Sequence, residues 1–162
     1  MNSWYTYYSA LSRRLLDYIK EEKCAALHYL ELAKSAPTAP GEKLLLELAK
    51  GESEHGIKFS RLYLQIIGEE PILPPACTQV TSSYYQAIEE RILAVGTVSH
   101  RYGEEFLNAP DMYLRNLFYH TKTEETNNGL RLMLLLRPAA LSGSGSPQSQ
   151  QAEAGKGAAM PS

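Results

Sequence analysis

The sequence predicts an all-α protein, a four-helix bundle built from two helical hairpins joined by a proline-rich crossover. Three observations predict it. Apolar residues through 1–137 recur at spacings of three and four, the period of a helix. Glycine is sparse there and β-branched runs are absent. Breaker residues divide the stretch into four segments of about 25 residues, each about 38 Å long as a helix. The connections run short, long, short, the pattern of two hairpins and a crossover.

The first helix is expected from about Ser9 to Ser35, with Leu11, Leu15, Ile19, Ala26, Tyr29 and Ala33 as its stripe. Ala36, Pro37, Thr38, Ala39 and Pro40 break it. The second runs from about Gly41 to Ile67, with Leu45, Leu48, Phe59, Leu62 and Ile66 on one side and Gly68 as C-cap. The crossover, Gly68 to about Val80, holds Pro71, Pro74 and Pro75 and is expected to be extended. The third helix runs from about Thr81, read as its N-cap, to Phe106 or Asn108, and a turn follows through Ala109 and Pro110. The fourth runs from about Asp111 to Arg137. Residues 138–162 are almost wholly Gly, Ala, Ser, Pro and Gln. Such a segment buries too little surface to offset its ordering entropy and reads as a disordered tail without chemistry.

Composition removes several functions. Lys and Arg number 16 against 18 Asp and Glu, a formal net charge of −2, which argues against a nucleic-acid binder resting on a basic surface. Two cysteines, Cys24 and Cys77, cannot build a disulfide-rich scaffold or a four-cysteine metal site. Cys24 reads as a small core or interface residue and Cys77 as part of the linker, neither with a signal for reactivity. No leader and no membrane-length apolar run is seen, so the expectation is a soluble cytoplasmic protein.

The chemistry lies on inward faces. Glu52 and His55 form Glu-x-x-His, and residues three apart on a helix project from one face. Leu45, Leu48, Ala49, Phe59 and Leu62 flank them, so the pair points into the core, where a charge needs a partner or a metal. Glu22 stands on the stripe of Leu15, Ile19, Ala25 and Ala26, and Tyr29, two turns on, is placed to hydrogen-bond a carboxylate ligand. Glu125 shares a face with Phe118, Thr121 and Leu132. Residues 52–56 read Glu-Ser-Glu-His-Gly and 125–129 read Glu-Thr-Asn-Asn-Gly, a duplicated motif with Asn128 in the histidine's place. The third helix has two registers. One turns Glu90 inward with Ser83, Ala87, Ala94, Thr97 and Arg101; the other turns Arg91 inward with Tyr84, Ile88, Val95, Val98 and Tyr102. The second face is more apolar and is favoured.

These residues resemble the rubrerythrin branch of the ferritin-like di-iron carboxylate proteins. That family sets one Glu on each of two helices and Glu-x-x-His on each of the other two. The resemblance covers residues 10 to 137 and implies a non-haem iron centre handling peroxide, O₂ or iron, with Glu22, Glu52, His55 and Glu125 as metal ligands. The second hairpin departs from the pattern: Asn128 replaces a histidine and Arg91 a glutamate. Asn is a poor iron ligand beside imidazole. Arg91 would stand in for one metal ion, free to form charge-assisted hydrogen bonds with Glu125 or Glu52. No rubredoxin-type module is present, so electrons would come from an external redox partner.

Three functions compete on this reading. One is a rubrerythrin-like oxidoreductase. Another is a protein holding iron, or zinc or manganese, at one site without turnover; the cofactor expected is one or two iron ions. The last is a metal-free structural or interaction protein in which Arg91 and Asn128 complete a polar network. Glu54, Glu21, Glu89 and Glu124 read as solvated flank charges. His28, His100 and His120 lack ligand spacing, and His120 is expected to pair with Glu124 one turn on. Trp4, Tyr5, Tyr7 and Tyr8, with Tyr84 and Tyr85, are expected to form a homodimer contact, since aromatic residues are enriched at interfaces.

Overall fold

Three breaks divide the chain into four long helices, α1 (Ser3–Lys34), α2 (Ala39–Ile67), α3 (Tyr84–Asn108) and α4 (Met112–Met133). They are seen in a computed structural model that describes residues 3–73, 77, 80 and 82–136. No strand occurs among the described residues, and the helices pack as a four-helix bundle. No helix among them is long and apolar enough to cross a membrane.

Local chemistry sets the ends. α1 begins six residues before the expected Ser9, because its first turns are anchored. The Tyr8 hydroxyl donates to Asp111 Oδ2 at 2.6 Å and the Tyr7 hydroxyl to Glu105 Oε2 at 3.3 Å. Tyr7 and Tyr8 thus bond within the chain, while Trp4 and Tyr5 are exposed. α2 begins at Ala39 rather than Gly41. Thr38 caps it, its hydroxyl accepting from the Gly41 N–H at 3.2 Å, and Pro40 falls in the first turn, where a missing N–H costs nothing. Gly68 closes α2 as expected, with φ 85° and its N–H donating to the Leu64 carbonyl at 2.8 Å. α3 begins at Tyr84 with Ser83 before it; the expected N-cap, Thr81, lies outside the described residues, as do Pro74 and Pro75. Asp111 caps α4, accepting from the Leu114 N–H at 2.9 Å. α4 tightens into a 3₁₀ turn, Leu134–Leu136; Arg137 and the low-complexity stretch 138–162 lie outside the described residues.

α1 packs on α2 and α3 on α4, as the short loops require. Between the hairpins, α1 meets α3 antiparallel, with Arg14 against Glu105, Glu21 against Arg101 and Tyr29 against Arg91. α2 meets α4 antiparallel, with Glu47 against Arg131, Glu52 against Asn128 and His55 against Glu124.

The core forms two apolar plugs. One gathers Tyr29, Leu32, Leu45, Leu48, Ile88, Val95 and Leu132. The other gathers Leu11, Leu15, Ile19, Leu114 and the rings of Tyr18, Phe59, Tyr102 and Phe118, whose centroids lie 5.1–6.4 Å apart. Each large apolar side chain fully buried contributes about 1.5–3 kcal/mol. A polar belt at mid-height separates the plugs. Gly129 lets α4 close onto α3 beside it, since a Cβ there would stand 3.1 Å from Val95 Cγ1.

Two features were not foreseen. Cys24 and Cys77 are joined by a disulfide, with Cα atoms 5.2 Å apart, so neither is an isolated residue. Cys24 sits half-buried on the flank of α1 instead of on its core stripe, and there it meets the crossover. A bridge across 53 residues restrains the unfolded chain by about 4 kcal/mol. It also pulls against the expected cytoplasmic setting, because reducing compartments keep thiols reduced.

The second feature is Glu105, buried between α1 and α3. It accepts from Arg14 through both nitrogens of the guanidinium fork, from Tyr18 at 2.8 Å and from Tyr7. Glu105→Ala is expected to cost about 2–3 kcal/mol in chemical denaturation, because the buried Tyr18 hydroxyl loses a charged acceptor while half-exposed Arg14 is re-solvated.

Candidate metal centre

The belt is assembled from three helices. α1 supplies Glu22, α2 supplies Glu52 and His55 from one face, and α4 supplies Glu125. One ligand atom from each lies within 4.8 Å of all the others, and each residue is 1–2 % exposed. The structure thus places side by side the four residues named from the sequence. His55 Nδ1 faces Glu125 Oε1 at 3.2 Å, Glu22 Oε2 at 3.4 Å and Glu52 Oε2 at 3.6 Å.

These distances decide what the cluster fits. Donors about 2.1 Å from a common ion, in tetrahedral or octahedral arrangement, stand about 3.0–3.4 Å from one another. His55 Nδ1, Glu22 Oε2 and Glu125 Oε1 are buried and have no hydrogen-bond partner. Buried polar atoms are nearly always bonded. Three unbonded donors turned toward one point, with a nitrogen and carboxylate oxygens, suit a divalent cation.

The surrounding groups orient the donors. His55 Nε2 lies 2.5 Å from Glu124 Oε2, which lies 3.8 Å from Lys58 Nζ. With Nε2–H donating to Glu124, the Nδ1 lone pair is free for a metal. Glu124 is therefore a positioning residue, not the solvated charge its half-exposed place on α4 suggested, and its partner is His55 instead of His120. Glu124→Gln is expected to weaken ion binding by about 10–100-fold while keeping the stoichiometry, as competition with a chromophoric chelator would measure.

Tyr102 donates to Glu22 Oε1, a role the sequence reading gave to Tyr29. Seven residues carry Tyr29 about 10 Å along the axis from Glu22, too far for its hydroxyl to meet that carboxylate. Its hydroxyl has no partner, and its ring lies under Arg91, whose guanidinium carbon is 5.0 Å from the ring centroid. Tyr102 was legible as a member of the inward face with Ile88 and Val95; its reach to Glu22 was not. Asn128 Nδ2 donates to Glu52 Oε1 at 3.4 Å, so Asn128 occupies the belt as expected.

The favoured register of α3 is the observed one. Glu90 is exposed and accepts from Ser82 at 2.8 Å, while Arg91 turns inward. Arg91 forms no ion pair with Glu52 or Glu125 among the described residues, so the bridge that would have marked the metal-free alternative is not seen; Tyr29 meets its guanidinium in a cation–π contact. Glu21, expected to be solvated, grips Arg101 through both carboxylate oxygens at 3.0 and 2.5 Å.

Three buried carboxylates demand positive charge. Burial, then the charges of Glu52 and Glu125, holds the Glu22 carboxyl well above the usual range. Burial likewise lifts Glu125 to about 7, against the opposing pull of His55. Glu52 is lowered to about 2: burial works to raise it, but its neighbours His55, Glu22 and Glu125 prevail. Burial also opposes the His55 cation, yet the carboxylates of Glu125, Glu22 and Glu52 around it lift it to about 12. These side chains by themselves hold protons where an ion would otherwise supply the charge.

Comparison of the chain with family models, curated proteins and solved structures gave no match.

Proposed function

We propose that this chain is a ferritin-like, rubrerythrin-related bundle that binds one divalent ion, iron before manganese or zinc, through Glu22, Glu52, His55 and Glu125. One observation carries the proposal: His55 Nδ1, Glu22 Oε2 and Glu125 Oε1 converge, buried and unbonded. The ferritin-like topology draws support from the two antiparallel registers, α1 on α3 and α2 on α4. Together they require α2 and α3 to run parallel, so the chain between Ile67 and Tyr84 must return along the bundle.

Charge supports one ion instead of two. Glu22, Glu52 and Glu125 bring −3, a divalent ion +2 and Arg91 +1, which sum to zero. A second divalent ion would meet the Arg91 cation and lack the histidine that Asn128 replaces. A bound iron would supply Lewis acidity and one-electron redox chemistry. The chain's own residues hold it and fix the histidine tautomer through Glu124. Turnover of peroxide or O₂ would need an external donor. The metal-free structural reading would leave the three converging atoms without hydrogen bonds, held only by the charge of His55.

Titrating chelated protein with Fe(II), Mn(II) or Zn(II) under native mass spectrometry tests this. One added ion per chain is expected; no uptake supports the structural reading. pH gives a second signature. The folded pKa values of Glu22, Glu125 and His55 lie above their unfolded ones. Their contribution to stability is full below the unfolded values and is lost as pH rises through the folded ones. Chelated protein is therefore expected to melt at lower temperature at pH 8 than at pH 5. Saturating metal is expected to reverse the trend, because its ligands must be deprotonated.

A further inference from the structure

A cavity of about 310 Å³ opens from the surface between α1 and α3 and ends at the candidate metal centre. Its inner wall is Glu22, Glu52 and Glu125, and Arg91 stands beside them. Ala25, Ala94 and Val98 form an apolar side. Glu21 and Arg101 line it too, but they neutralise each other through their two-point ion pair. Arg91 is then the one lining cation without a carboxylate partner among the described residues, and its Nε is buried and unbonded.

A buried Nε–H without an acceptor is costly, and the planar guanidinium fork matches a carboxylate. The Tyr29 ring fixes the guanidinium in place by stacking, which leaves Nε unbonded. Resting on the single-ion reading above, we infer that this cavity binds a small monocarboxylate with a short aliphatic chain. Its carboxylate would accept from Arg91, beside the ion that the glutamates would hold, with the chain against Ala25, Ala94 and Val98. The charge sum sets the class. With one divalent ion the site is neutral, so a monoanion adds a single charge, whereas phosphate would add more beside three glutamates.

The test uses the full chain loaded with Co(II), whose visible spectrum reports coordination, titrated with acetate and with butyrate. Both are expected to give saturable spectral changes. Butyrate is expected to bind about tenfold more tightly, from two further methylenes on the apolar side. Arg91→Gln is expected to lower both affinities at least tenfold while cobalt still binds. Arg91→Lys, which keeps the charge and loses the fork, serves if the glutamine variant does not fold, and is expected to weaken both anions too. Absence of any spectral change, or equal affinities in wild type and the Arg91 variants, would overturn the inference and leave the metal site standing. Failure of the wild type to take up cobalt would overturn both.

Discussion

His55→Ala is expected to abolish stoichiometric ion binding, with affinity falling more than a hundredfold. The reasoning starts from Glu124. Losing a group that only orients a ligand costs about 10–100-fold in affinity, so losing the ligand itself costs more. The geometry sharpens the expectation, because His55 Nδ1 is the atom all three carboxylates face, at 3.2–3.6 Å. Its removal leaves Glu22, Glu52 and Glu125 as three buried carboxylates, with Arg91 a counter-charge felt by Glu52 and Glu125. The metal-free variant is expected to hold additional protons on those carboxylates and to lose stability as pH rises. Calorimetric titration with Zn(II) reads the affinity, and thermal melting read against pH checks the proton uptake. Retained binding would place the ion elsewhere.

The second large effect is a gain. Arg91→Glu combined with Asn128→His places a carboxylate and an imidazole in the second hairpin, and is expected to raise the stoichiometry from one ion to two. Each substitution addresses one deficit. Arg91 supplies a positive charge where a second cation would sit, and Asn128 offers an amide that already donates to Glu52. The single variants are expected to remain at one ion: Arg91→Glu lacks the imidazole and Asn128→His keeps the cation. Native mass spectrometry of the three variants reads this directly. A double variant that stays at one ion would mean that the backbone of the second hairpin has moved out of ligand range.

Much of this was legible in the sequence for a physical reason. Helical periodicity fixes which residues share a face, and Glu22, Glu52, His55 and Glu125 each interrupt an apolar face. All four are buried in one belt. The choice of Arg91 over Glu90 followed from the same logic, since Ile88, Val95 and Tyr102 are core residues. Contacts between helices were not legible, because they depend on how far side chains reach across the bundle. Tyr102 on Glu22, Glu124 on His55, and the Glu105 cluster with Arg14, Tyr18 and Tyr7 all belong to this class. So does the Cys24–Cys77 bridge, which joins a helix flank to a crossover whose path periodicity does not encode. Helix starts shifted for a local reason: Thr38 and Pro40 begin α2 earlier than its apolar pattern does.

Metal content per chain, by elemental analysis of protein expressed with iron and purified without a metal-chelating tag, is the most direct test. One ion per chain, lost in His55→Ala, is the predicted result. Two ions would contradict the role given to Arg91 and Asn128. No ion, with melting unchanged by chelator or added metal, would contradict the metal centre itself.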